Sequence, residues 1–212
     1  MFSTEINRLR DKLNLNSVQR QIIIGSLLGD EYLYPTVSKK YAYFRIAHGP
    51  KQKDYVWWKY QYFKNWVLSS PRYQLQNKQK PELGGYYWFK TIAHKELLRY
   101  RKIFYKNKTK IIPSDLGEMF KSTLSLAVWY MDDGTVNRKA IHLNTQSFSY
   151  KENLHLRQIL KDNFNINCNI NKSGNIGKGY ILYIPKEQAK KFMFLVRKYV
   201  KQCMPYKAFL TP

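Results

Sequence analysis

The sequence predicts an α+β protein built as two copies of one α-β-β-α-β-β-α unit. Three observations carry this. Two apolar segments, each ending on an aspartate, stand 103 positions apart in a chain of 212 residues. Alternating apolar and polar residues follow each segment, the period of strands with one buried face. A helical stretch, a second pair of alternating runs and a basic helix then recur in the same order. The halves are expected at residues 1–105 and 122–212, joined by a linker at 106–121.

The first apolar segment is "VQRQIIIGSLLG", residues 18–29, ending in Asp30. Beyond it, Tyr41, Tyr43 and Arg45 alternate with Ala42, Phe44 and Ile46, and "KDYVWWKYQYFKNWV" reads as a helix. Arg72, Gln74, Gln76 and Lys78 form the polar face of the next strand. Its partner is "GYYWFKTIA", which carries Lys90, and "HKELLRYRKIFY" closes the half. The second apolar segment, "STLSLAVWYMD", leads to Asp133 and Gly134. His142, Asn144 and Gln146 then alternate with Ile141, Leu143 and Thr145, ahead of the helical "YKENLHLRQILKDNF". Asn165, Asn167, Asn169 and Asn171 line the following strand, "GYILYIP" pairs with it, and "PKEQAKKFMFLVRKYV" is the last helix.

Charge narrows the function. Thirty-seven Lys and Arg oppose 14 Asp and Glu, a formal net charge of +23, which points to a polyanionic partner, above all nucleic acid. The basic residues are interleaved with Tyr, Trp, Asn and Gln along the chain and do not form a tail. No apolar run approaches the roughly 18 residues needed to span a bilayer, and the N-terminus lacks the apolar core of a signal peptide. Cys168 and Cys203 have no partners at metal-ligand spacing, so inert thiols in a reducing compartment are expected, and the four histidines are scattered. Tyr130-Met131-Asp132-Asp133 is also the letter string of the reverse-transcriptase metal site. There it occupies a hairpin turn, whereas here Leu124, Ala127, Val128 and Met131 fall at helical spacing.

The two acid-ended segments resemble the motif of the LAGLIDADG homing endonucleases. Residues 126–134, "LAVWYMDDG", match its opening Leu-Ala and closing Asp-Gly, and residues 23–31, "IIGSLLGDE", match its glycine, the small residue before the acid, and the acid. The similarity is to the single-chain, two-motif branch and extends through "WVLSSPR", "KTKIIPSDL", "LNTQSFS" and "MPYK".

The resemblance implies two helices packed side by side, with Gly25, Gly29 and Ala127 at their interface and two antiparallel sheets forming a DNA-binding saddle. It implies that Asp30 and Asp133 hold Mg²⁺ (or Mn²⁺) and that Lys110 and Lys207 enter the same pocket as catalytic groups. Carboxylate oxygens suit such hard cations. Two departures are visible: Asp132 and Val128 stand where the first half has Gly29 and Gly25, so the helix interface is expected to be asymmetric. The polar strand faces and their tips are the expected DNA surface. This surface comprises Lys39, Lys40, Tyr41, Tyr43, Arg45, Arg72, Gln74, Gln76, Lys78, Lys90, Arg138, Lys139, His142, Asn144, Gln146, Asn167, Asn169, Asn171 and Lys172. Amides and guanidiniums make bidentate contacts to base edges, while lysines such as Lys51 and Lys53 touch phosphate. The implied activity is a site-specific double-strand break with short 3′ overhangs in a long asymmetric target, made by a monomer to promote intron homing. An intron RNA maturase and, behind it, a non-cleaving DNA-binding regulator are the alternatives. Double-stranded DNA is the expected partner, with intron RNA as a second, and neither a membrane nor a small-molecule substrate is expected. The many Lys, Asn, Ile and Tyr, with their AT-rich codons, fit an organelle-encoded protein, a bacterial or phage intron being the other source.

Overall fold

Both apolar segments fold as helices whose C-terminal halves are buried on every side. In the computed structural model, which describes residues 2–174 and 179–208, α1 (Phe2–Lys12) precedes α2 (Ser17–Leu28). Residues 22–29 are all buried, which is why this helix is apolar around its whole circumference and not along one stripe. Contacts group Met1–Arg20 with Glu31–Ile103, and Gln21–Asp30 with Phe104–Pro212. The helix α2 therefore begins in the first compact unit and ends in the second.

In the first unit, β1 (Tyr32–Pro35), β2 (Ala42–His48), α3 (Lys53–Phe63), β3 (Arg72–Leu75), β4 (Gly85–Lys90) and α4 (Lys95–Phe104) follow in order. The antiparallel sheet has strand order β1-β2-β4-β3. The expected alternation in β2 holds: Ala42, Phe44 and Ile46 are buried, and Tyr43 and Arg45 are half-exposed. The helix α3 turns Tyr55, Val56, Lys59 and Phe63 inward, and Phe44 and Phe63 meet edge to face at 5.7 Å. The strand expected through Gln76 and Lys78 stops at Leu75. Asn77 ends it, because its side-chain Oδ1 accepts from the Gln79 amide at 2.8 Å and draws the chain into a turn.

In the second unit a short hairpin, β5 (Tyr105–Lys106) and β6 (Thr109–Lys110), leads to α5 (Leu116–Met119) and α6 (Thr123–Asp133). Ser122 caps α6 by accepting from the Leu124 amide at 3.1 Å, and residues 124–132 are all buried. Then come β7 (Gly134–Asn137), β8 (Ala140–Leu143), α7 (Tyr150–Phe164), β9 (Asn169–Lys172), β10 (Tyr180–Ile184) and α8 (Lys186–Cys203). The sheet order is β7-β8-β10-β9, antiparallel throughout, so the αββαββα order recurs in both halves. The strand expected through Asn144 and Gln146 ends at Leu143. Buried Asn153 holds the turn that follows, accepting from Thr145 Oγ1 at 2.5 Å and donating to the Phe148 carbonyl at 3.1 Å. Asn165 lies off the expected strand face, as the left-handed C-cap of α7 at φ 53°, a conformation asparagine tolerates. Ser149 and Glu152 form a capping box at the other end of α7. No helix among the described residues is long and apolar enough to cross a membrane.

Candidate metal and nucleic-acid site

Close approach of two backbones creates the site. A Cβ placed on Gly25 would collide with the Ser125 carbonyl oxygen and stand 2.8 Å from Val128 Cβ. One placed on Gly29 would stand 2.5 Å from Asp132 Cβ. Only glycine lets α2 come this close to α6, and Val128 and Asp132 press into the gaps from the other side, which is the asymmetry the sequence implied. Ala127 is fully buried in α6.

This contact brings the two helix ends together. Asp30 follows α2 and is exposed, and Asp133 is the last residue of α6 and is half-buried. Burial pushes the Asp133 carboxyl up to about 8, with Asp30 and then Asp132 adding to the rise and Lys110 opposing it. The two carboxyls are near enough to act on each other, Asp30 raising the Asp133 value. Two carboxylates that close cannot both stay ionised without a cation, and helix C-termini add negative potential of their own.

Lys110 and Lys207 each reach the end of one of these helices. Lys110, at the end of the β5–β6 hairpin, donates to the Gly29 carbonyl at 2.5 Å. Lys207, just past α8, donates to the Met131 carbonyl at 2.7 Å. Each ammonium thus sits on a terminal carbonyl of the helix that carries the neighbouring acid. Tyr130 fixes the second lysine, its hydroxyl donating to the Lys207 carbonyl at 2.8 Å. Burial lowers the Lys207 ammonium below the usual lysine range, against the pull of Asp132, Asp133 and Asp30.

Oxygen donors, excess negative charge and a carboxyl that keeps its proton near neutrality fit a hard divalent cation, since binding displaces that proton. Asp30 and Asp133 are the residues that would hold it.

Cross-strand register sorts the strand residues. In the first unit Arg45 pairs with Lys90, Arg72 with Trp88 and Gln74 with Tyr86. With Tyr43 these line the sheet face opposite Phe44, Ile46 and Phe89. Arg45 and Arg72 stack on Trp88, at 5.2 and 4.4 Å from the ring centre. Trp88 and Tyr86 were missed in the sequence reading, although their alternation with Lys90 in "GYYWFK" places them on this face. Lys39 and Lys40 lie in the exposed β1–β2 turn with Tyr41 at its end, and Gln76 and Lys78 lie beyond β3.

In the second unit Tyr183 stands between His142 and Asn169, and Ile181 pairs with Asn171. These residues share the face away from Ile141, Leu143 and Leu182. Asn167 precedes β9 and is exposed. Lys172 has the parity of Ile170 and not of the asparagines, and it is exposed at the strand end. Arg138 and Lys139 form the β7–β8 turn, both at positive φ (47° and 70°). The Asn144 amide donates to the Asp133 carbonyl at 3.2 Å, and Gln146 lies in the turn closed by Asn153.

Both cysteines are buried thiols, Cys203 Sγ lying 3.5 Å from Met131 Sδ, and burial pushes the Cys168 thiol up to about 12.

The sequence profile of the LAGLIDADG DNA endonuclease family matches residues 20–192. A probable intron-encoded endonuclease 1 from Wickerhamomyces canadensis is 32% identical, over 91% of this chain and 84% of its own. The cytochrome b mRNA maturase bI2 of Saccharomyces cerevisiae is 27% identical over 96% of this chain, which spans about half of that relative (49%). Among solved structures, the homing endonuclease I-WcaI bound to its DNA recognition sequence superimposes with a TM-score of 0.86. It is 28% identical, and the match covers 98% of this chain and 93% of that one. Paired acid-ended helices, a repeated αββαββα order and these relatives make the chain a member of the LAGLIDADG DNA endonuclease family.

Proposed function

We propose that the chain is a monomeric homing endonuclease that cuts both strands of a long, asymmetric DNA target in a Mg²⁺-dependent reaction, leaving short 3′ overhangs. The reading rests above all on the close-packed, acid-ended helices, whose ends carry Asp30 and Asp133 and are met by Lys110 and Lys207. Mg²⁺ held there would supply Lewis acidity toward the scissile phosphates and make bound water more acidic. Lys207, held at the end of α6 by the Met131 carbonyl, is placed to polarise an attacking water. Lys110 steadies the negative charge that builds on the phosphate. The polar strand faces read base edges, with Arg45 and Arg72 held in place by Trp88. The turn lysines and arginines contact phosphate. The two faces differ in residues, so the target they read is asymmetric. Similarity to an endonuclease described as intron-encoded supports an intron origin, and we place the gene in an organelle genome.

The test is linearisation of a plasmid pool carrying fragments of intronless host genes, with Mg²⁺ for cleavage and Ca²⁺ for binding alone. One discrete double-strand break, lost in Asp30→Asn and Asp133→Asn with binding retained, is expected. Tight binding to the cognate site without any break would refute the reading. Similarity to a cytochrome b mRNA maturase favours a second reading, assistance of intron splicing on the same scaffold, which predicts that the protein accelerates excision of its host intron from purified RNA.

A further inference from the structure

The residue after Asp30 is anchored by charges that no step above uses. Glu31 is buried, and its Oε1 lies 2.9 Å from His48 Nε2 and 3.4 Å from Lys59 Nζ. Lys59 projects inward from α3 with 0% exposure, its ammonium 4.4 Å from the Tyr55 ring centre, and His48 packs against the same ring at 5.0 Å. Fully buried lysines are rare, and a buried ion pair is seldom more stable than the apolar pair that would replace it. Stability alone therefore gives little reason for Lys59 to be a lysine.

Position gives a better one. The chain passes from one compact unit to the other at the Asp30–Glu31 peptide bond, so whatever holds Glu31 holds the backbone that carries Asp30. The second half solves the same problem differently. Gly134 follows Asp133, its amide donates to the Tyr130 carbonyl, and a Cβ there would collide with the Tyr130 ring. Packing of Gly134 holds the backbone just after Asp133, and a side-chain charge cluster holds the residue just after Asp30.

We propose that Lys59 and His48 are positioning residues that act through Glu31 to hold Asp30 in its metal-binding geometry. The proposal rests on the metal-dependent reading above. It follows that loosening the cluster weakens metal binding at Asp30.

The test pairs Glu31→Gln with Lys59→Met, which removes both charges at nearly constant volume, and adds Lys59→Arg as the conservative control. Three quantities are measured: the Mg²⁺ concentration giving half of the metal-induced rise in melting temperature, DNA affinity in Ca²⁺, and the nicked and linear products of a supercoiled plasmid. The double variant is expected to fold and to bind DNA within a few-fold of the parent. Its Mg²⁺ midpoint should rise on the order of tenfold, the usual effect of removing a group that orients a metal ligand. Nicked circle should accumulate ahead of linear product, and Lys59→Arg should restore the parent midpoint. A folded double variant with the parent's midpoint overturns the proposal. Should that variant not fold, His48→Leu removes one partner of Glu31 and is judged by the same midpoint. A parent that shows the metal-induced rise but never cuts DNA refutes the endonuclease reading and leaves this inference standing. A parent without that rise refutes this inference.

Discussion

Asp133 shows how a single carboxyl links folding, protons and metal. Its value near 8 in the folded protein, above the usual 3.8 for an aspartate, means the metal-free fold keeps a proton that the unfolded chain releases at low pH. A raised folded value stabilises the protein below pH about 4, and that contribution is lost as pH rises toward 8. The metal-free protein should therefore melt at progressively lower temperature between pH 5 and 8.5, and Asp133→Asn should flatten the decline. At pH 7, Mg²⁺ binding should expel about one proton. Titration calorimetry in two buffers of different ionisation enthalpy would show this as a buffer-dependent heat, and a buffer-independent heat would count against the retained proton. Gly25 is tested more simply. An Ala there meets the Ser125 carbonyl, a backbone atom that cannot swing aside, so Gly25→Ala should cost about 1–3 kcal/mol in denaturant unfolding, the range for overpacking. Unchanged stability would mean that the two helices need no glycine to approach.

At the level of elements, the β7–β8 hairpin shows charge placed against backbone preference. A two-residue turn with both central residues at positive φ favours Asn-Gly, yet Arg138 and Lys139 occupy it. Left-handed geometry costs roughly 1 kcal/mol or more for each such side chain, so the turn is less stable than it could be and carries two exposed cations at its tip. Replacing the pair by Asn-Gly should raise stability and weaken DNA binding in Ca²⁺ together. A variant that gains stability at unchanged affinity would show that these charges touch no phosphate. The expected strands on either side of such turns were legible because their alternation is strict, as in Ala42, Phe44 and Ile46. Their ends were not, because single side chains set them: Asn77 turns the chain after β3, and Asn153 reaches back from α7 to close the turn after β8. Neither bond has a periodic signature in the sequence.

Across the whole molecule, the repeat was legible because Asp30 and Asp133 each close a largely apolar segment and the same order of elements follows both. The pocket was half legible. The acids announce themselves, whereas Lys110 and Lys207 are two lysines among many, and only their positions after the closing helices, seen through the family resemblance, singled them out. Lys59 was hidden altogether, since nothing in "KDYVWWKYQYFK" separates a buried ammonium from its solvated neighbours. The net charge of +23 is the property least dependent on such detail, and it makes a prediction of its own. Each phosphate neutralised on duplex DNA releases counterions, so the logarithm of affinity should fall linearly with the logarithm of salt, with a slope of about −0.9 per contact. Non-cognate duplex, held by charge alone, should lose most of its affinity between 50 and 200 mM salt, on the order of 10³-fold or more for six or more contacts. A cognate duplex in Ca²⁺ should add the salt-independent share that comes from base contacts at Arg45, Arg72, Gln74 and the asparagines of β9, so its line should lie well above the non-cognate one at every salt concentration. Fluorescence anisotropy with the two duplexes across that range decides it. Two salt lines separated by only a small ratio would mean that the strand faces read no sequence and that phosphate contacts account for all the binding.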